Sequence, residues 1–360
     1  MSAWSAPTAR NSAGPRAPAF SARLVWACRL GLLLLLAAAP AEAADSDSWL
    51  NDSANWRLVP IGDFSPAEAA SPRCLLLRAN GDLLVGGGEG LAVLRQGRWL
   101  RYGFDPALGR LVGAEPGEAL APTPPVTHLT EDAGGNLWLV AGEALLRLVG
   151  PYDAQAQSWP LPGATGLAAF RSGVLATTRH GLRRFGRGGA EPLAPSLEPL
   201  AASPLPGLVV TPPADPGRLV LAITETGLVG WRLGVLRPLF AQPVAAALWQ
   251  AAESDLMIVA GDRLLAAHWR SPGPRKWFRE AVPEAELRPL GHLRGLTTMD
   301  VGDGPRPVVL AERGLAFLRD GHAQVHLLPD PPLAVAARRY AVFVLTAAGL
   351  WVAEPGMVPR

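Results

Sequence analysis

Cysteine is nearly missing from this chain: 360 residues hold two, Cys28 and Cys74. Only Cys74 lies beyond residue 43, so a disulfide framework and a cysteine zinc cluster are excluded for the body of the chain. Its setting, "PRCLLLRAN", is that of a small core residue and not of a reactive thiol. Apolar runs beyond residue 43 are all cut short by Gly, Pro or a charge, well below the ~20 residues that cross a bilayer. Helical stripes are missing too, and Gly and Pro (39 and 36 residues) are too frequent for long helices. Charge of one sign is the last absence. The totals are 33 basic and 31 acidic residues, and residues 1–43 take four arginines and one glutamate of these, leaving 29 against 30. That balance argues against nucleic acid as a partner, because phosphate binding needs a concentrated positive field.

What is present begins with a distinct leader. Arg10, Arg16, Arg23 and Arg29 precede "LGLLLLLAAAP", and "AEA" ends at Ala43. A charged start, a short apolar centre and a small-x-small exit describe a secretory signal peptide cleaved near Ala43. Residues 1–43 are therefore expected to be removed, leaving a periplasmic or secreted chain with no transmembrane segment. A short polar arm (44–54), one domain (55–356) and a tail (357–360) follow.

That domain repeats a unit. "RCLLLRANGDLLVGGGEGLAVLRQG" and "VTHLTEDAGGNLWLVAGEALLRLVG" share a strand, a polar turn, a second strand, a small turn and a third strand, and five looser copies follow. The leucine after each second turn falls at Leu91, Leu145, Leu182, Leu228, Leu264, Leu315 and Leu350, a period of about 43 residues, as propeller blades have. A fourth strand follows most copies, as in "RWLRYGF", "AEPLAP" and "RKWFREAV". The seventh copy lacks one, whereas "NWRLVPIG", residues 55–62, stands unassigned before the first. Pairing the two closes a seven-bladed all-β propeller with an N-terminal strand in the last blade, which protects its sheet edges.

Within "EDAGGNLWLVAGEALLRL", Asp132, Gly135, Asn136, Leu137 and Trp138 resemble the two-component regulator propeller repeat. Asn80, Gly81, Asp82 and Leu83 keep a fragment of it, as do the Gly-Leu pairs beginning at Gly181, Gly227, Gly314 and Gly349. The resemblance implies a ligand-binding, sensor-like propeller, here without an output domain: a receptor or scaffold, accessory to a membrane-bound or envelope complex. Thr130, Asp132 and Gly134 also resemble the Asp-box of sialidase-like propellers, with Trp138 one place late. In both families this turn is structural.

No nucleophile elbow, paired-histidine zinc helix, phosphate loop or calcium loop occurs, so no catalytic residue, metal site or cofactor is assigned. "GGGEG", 86–90, lacks the helix N-terminus that an anion cradle needs and is expected to be a hairpin turn. His322 and His326 fall on one strand face and are expected to be solvated. Trp138, Trp231, Trp269 and Trp351 are expected to fill the space between blades. "SPGPRKWFRE", which joins bases to aromatics, is a candidate partner contact. Alignment of the units yields one constellation. The turns between second and third strands carry Glu89, Glu143, Glu225, Asp262 and Glu312, with Arg179 and His180 in the third unit. Propeller geometry puts these turns on one rim, where like charges attract cationic ligands. The expected function is recognition of a peptide, glycan or protein partner on that rim. The alternative is a lyase or glycoside hydrolase using Glu143, His180 or Glu225 as acid and base.

Overall fold

A computed structural model describes residues 56–59, 74–114, 123–210, 220–232, 234–250, 255–268, 278–300, 305–338 and 341–354. The leader, the polar arm, the tail, Trp269 and most of "SPGPRKWFRE" lie outside these residues. No described helix is long and apolar enough to cross a membrane.

Seven antiparallel sheets follow one another along the chain. In blade 2 the strands are Val126–Glu131, Leu137–Ala141, Ala144–Leu148 and Gln157–Pro160. Blades 3, 4, 5 and 6 begin at Ala164, Gly207, Ala246 and Leu293 and repeat the order. Blade 7 is completed from the other end of the chain: Trp56–Val59 pairs with Leu350–Ala353, with Trp56 opposite Ala353 and Val59 opposite Leu350. The expected closure is observed.

The core follows from this ring. Seven apolar clusters each span two neighbouring blades, the last joining Leu83, Val85 and Ala92 of blade 1 to Leu345, Leu350 and Val352 of blade 7. Both faces of every sheet are thus covered. That is why Leu83–Gly87, Leu137–Ala141 and Gly173–Thr178 are buried at every residue and show no polar alternation. Trp138, Trp231 and Trp351 pack between blades as expected.

Every blade keeps the expected four strands, but one adds a fifth and two shorten the last. Blade 1 adds a fifth, Arg110–Ala114, whose first residue bridges to Gln155 of blade 2. In blade 3 "AEPLAP" gives only Gly189–Glu191 before a 3-10 turn at Pro195–Leu200, which buries Leu197 and Leu200 against blade 4. In blade 5 "RKWFREAV" gives only Arg279–Glu280, and Val282 in the connector and Leu287 of the short helix Glu284–Leu287 fill the space between blades 5 and 6. Prolines in both connectors withhold the amide donors that a longer ladder needs.

Candidate functional site: one rim and the mouth of the axis

Backbone hydrogen bonds show that the turns between second and third strands share a rim with the connections between blades. The Leu161 amide donates to the Glu143 carbonyl, Arg179 to Gly163, Leu205 to Thr178, and Glu312 to His292. Each turn is sharp. Gly227 and Gly314 have φ of 154° and 153°, and a Cβ on either would collide with the facing carbonyl of Phe240 or His326. The turn tips therefore point their charged side chains outward. Glu143, Arg179, His180, Glu225, Asp262 and Glu312 are exposed, and Glu89 is half-buried. "GGGEG" is the hairpin turn expected, joining Leu83–Gly87 to Gly90–Arg95.

The rim is not a bare ring of carboxylates. Asp262 meets the His292 Nδ1 at 2.6 Å, and Glu312 faces Arg294 at 3.6 Å. Among the described residues, no hydrogen bond or ion pair joins the side chains of Glu89, Glu143, Arg179, His180 and Glu225 to one another or to any other side chain. These five remain available to a ligand.

Where the innermost strands start on this rim, four blades carry the same irregularity. Pairing with the second strand skips Thr127, Thr165, Arg294 and Leu333, each the second residue of its strand. The described pairs of blades 1, 4 and 5 show no such shift. An extra residue of this kind bends the strand and re-aims a side chain. Polar groups gather beside two of these bulges. Thr127 Oγ1 lies 2.9 Å from His128 Nδ1, and Thr165 Oγ1 donates to the Leu205 carbonyl at 2.5 Å. Burial pushes the His128 imidazole below its ordinary pKa, opposed by a hydrogen bond with the Thr165 backbone. No sequence motif marks His128. The available signal was polar residues at the head of an apolar strand, in "VTHL" and "ATGL".

The opposite rim is spent on structure. Asp132 is 4% exposed and accepts from the Gly134 and Asn136 amides, Asn136 Nδ2 and Trp138 Nε1, the last at 2.9 Å. Burial raises its pKa, but these hydrogen bonds outweigh that effect and hold the carboxyl below its usual range. Beside it, the Arg78 guanidinium crosses from blade 1 to blade 2. It donates to Glu131 Oε1, to the Tyr152 hydroxyl and to the Gly135 carbonyl. Tyr152 donates in turn to Asp82 at 2.7 Å, and Asp82 pairs with Arg95, also at 2.7 Å. Cys74 sits in the same junction. Its thiol is enclosed by Gly86 and Val126, and burial pushes its pKa up to about 12, as befits an inert core residue.

The expectation that both nearby histidines are solvated holds for His322 and fails for His326. The His322 side chain is 78% exposed and contacts Glu286 at 3.1 Å. His326 instead packs against Trp56 and Phe317 in the junction of blades 6 and 7. Strand alternation puts both on one face, but only the far end of that face is covered by the closing strand.

Among the described residues, no three His, Cys, Asp or Glu side chains are grouped to hold a metal. No protein-family model matches the chain, and no curated protein matches it. Solved structures do. BBS1N, crystallised with ARL6DN, aligns at TM-score 0.57 and 14% identity over 84% of this chain and 99% of that one. The extracellular domain of the hybrid two-component system BT4673 from B. thetaiotaomicron aligns at 0.55 and 13%, over 83% of this chain and 39% of that one. A catalytically inactive histidine-to-alanine form of virginiamycin B lyase from Staphylococcus aureus, with quinupristin, aligns at 0.53 and 11%, over 83% and 99%. The likeness is one of fold. Propellers of this fold include both a sensor domain and a lyase, so the fold alone does not decide function.

Proposed function

We propose that this protein is an exported, non-enzymatic binding propeller of sensor or scaffold type, which recognises a peptide, glycan or protein partner on the rim of the turns between second and third strands. The observation that carries this reading is the recurrent bulge. Four blades depart from regular pairing at the same place, beside a rim whose Glu89, Glu143, Arg179, His180 and Glu225 side chains engage no other side chain among the described residues. The described pairs of blades 1, 4 and 5 show no such register shift, so it is not a uniform feature of the ring. The leader-like start supports export. The extracellular sensor domain and the propeller crystallised with a protein partner support a binding role by analogy of fold. The repeat in "EDAGGNLW" points the same way, as a member of the two-component regulator propeller type.

A lyase is the second reading, favoured by one contact, the Asp262–His292 pair at 2.6 Å. Against it, these side chains are 68% and 57% exposed, and among the described residues no hydrogen bond or ion pair joins the side chains of Glu143, His180 and Glu225. General acid–base catalysis works best with both groups positioned on one substrate and shielded from water.

The test is capture from an envelope extract by immobilised wild-type protein and by the E89Q/E143Q/E225Q variant. A partner retained by wild type and lost by the variant supports the rim. Equal retention by both, or turnover of quinupristin abolished by His292→Ala, overturns the binding reading.

A further inference from the structure

One cation near the opposite rim escapes structural use. Arg147, on the strand Ala144–Leu148 of blade 2, is 6% exposed, deeper than Arg78 at 9%. Strand register sets it opposite Trp138 on one side and Gln157 on the other. Trp138 and Leu145 pack toward blade 3, so Arg147 shares that face. Its guanidinium lies over the Trp138 ring, 5.6 Å from the centroid, and Nη1 donates to Gln157 Oε1 at 2.8 Å. Nε is buried without a hydrogen-bond partner. Nη2 has no partner among the described residues either, but it is not one of the buried nitrogens and so keeps contact with solvent. Arg78, Arg95 and Arg184 each meet a carboxylate, Glu131, Asp82 and Glu191 in turn. Among the described residues, none forms an ion pair with Arg147. Asp132 touches the same indole at its N–H, yet its oxygens are taken by the Gly134 and Asn136 amides and by Asn136 Nδ2. A guanidinium this deep has lost hydration that one neutral amide and one ring face return only in part.

We infer that the opposite-rim mouth of the junction between blades 2 and 3 binds a carboxylate group, held by Arg147 Nη2 and the Gln157 side-chain amide beside the face of Trp138. The donors select the ligand. Arginine has no acceptor, so Gln157 must turn Oε1 toward it, and the exposed side chain then presents Nε2 outward. Two donors on neighbouring planar groups match the two oxygens of a carboxylate. One negative charge balances one guanidinium. The second charge of a phosphate would stand surplus in a junction that already holds Asp132 on the Trp138 N–H. Topology brings a further cation to this mouth. Arg187 is exposed in the turn after Gly181–Gly186, whose Phe185 packs on Trp159 of blade 2. It adds attraction at longer range.

Thermal unfolding in sodium acetate, against sodium chloride at equal ionic strength and neutral pH, tests the site. The midpoint of the wild-type protein is expected to rise saturably with acetate. In Arg147→Met, which keeps an unbranched apolar stem over Trp138, the response is lost. In Gln157→Leu, at an exposed position, half-saturation should need about tenfold more acetate. Nitrogen-15 labelling of the arginines keeps the test decisive should Arg147→Met fail to fold. One Nε–H, slow to exchange because it is buried, should shift with acetate and not with chloride, and Gln157→Leu should weaken that shift. An equal acetate response in wild type and both variants, no saturable response in the wild type, or a stronger response to phosphate than to acetate overturns the proposal.

Discussion

The junction of blades 1 and 2 and that of blades 6 and 7 solve the same packing problem by opposite means. Between blades 1 and 2, polar groups are buried and each finds a partner: Arg78 reaches Glu131, Tyr152 and Gly135, while Asp82 takes Arg95 and Tyr152. Between blades 6 and 7, aromatic rings cover the seam, and His326 Nε2 and Trp351 Nε1 are left unpaired. Covalent continuity accounts for part of the difference. Both pairs of blades are consecutive in the chain, but blade 7 takes its outer strand, four residues long, from the opposite end. A satisfied network fixes one geometry. An apolar seam with unpaired nitrogens is held by packing and forgoes that directional constraint.

Breaking the first junction should have the largest effect. Arg78→Ala removes the guanidinium from Glu131 Oε1 and the Tyr152 hydroxyl, leaving Glu131 only the Ala79 amide, and removing one partner of a buried ion pair costs roughly 3–5 kcal/mol. A denaturant midpoint should fall accordingly, with an unchanged slope if unfolding stays cooperative. Trp138→Phe comes next. It keeps an aromatic ring between blades 2 and 3 but deletes the N–H that Asp132 accepts, at a cost of about 1–3 kcal/mol.

Acid separates the two junctions. Asp82 is held below the ordinary carboxylate range, with the hydrogen bond from Arg95 contributing most, and Asp132 is also lowered. For a carboxylate with a depressed folded pKa, stability is complete above the unfolded value near 4 and is lost as pH falls below it. The histidines act in a higher window. His128 and His326 both prefer the neutral form when folded, so their contribution declines from pH 6.5 downward. Thermal unfolding followed from pH 8 to pH 3 should therefore show two declines. His326→Phe should flatten the upper one in part, leaving the share of His128. A single decline below pH 4 in the wild-type protein would erase the contrast between the junctions.

The two junctions were unequally legible in sequence. Asp132, Asn136 and Trp138 are local, and a turn whose partners lie within six residues leaves a spacing to be read. So does the repeat of short apolar strands, because covering both faces of every sheet demands it. Closure by "NWRLVPIG" follows from counting strands. Arg78 to Glu131, Asp82 to Tyr152 and His326 to Trp56 span 53, 70 and 270 positions, and no local pattern marks such pairs. The truncated outer strands of blades 3 and 5 were missed for a related reason: their apolar residues serve the next blade and not their own sheet. The bulges at Thr127, Thr165, Arg294 and Leu333 alter register without altering composition, so they emerge only from the pairing.

The smallest effect belongs to the rim, and its smallness gives it value. Glu143 and Glu225 project from turn tips into water, with no side-chain partner among the described residues. Replacing either with Gln should change stability by less than about 0.5 kcal/mol. It should leave both acid declines in place, because neither carboxylate touches the Arg78 network or the His326 seam. The corresponding loss of partner capture by E89Q/E143Q/E225Q would then report recognition alone, free of any contribution from folding. Had the acidic turns been fixtures of the ring like Asp132, the same substitution would lower the unfolding midpoint by an amount comparable to Trp138→Phe. A rim that can change without disturbing either junction is free to be shaped by what it binds.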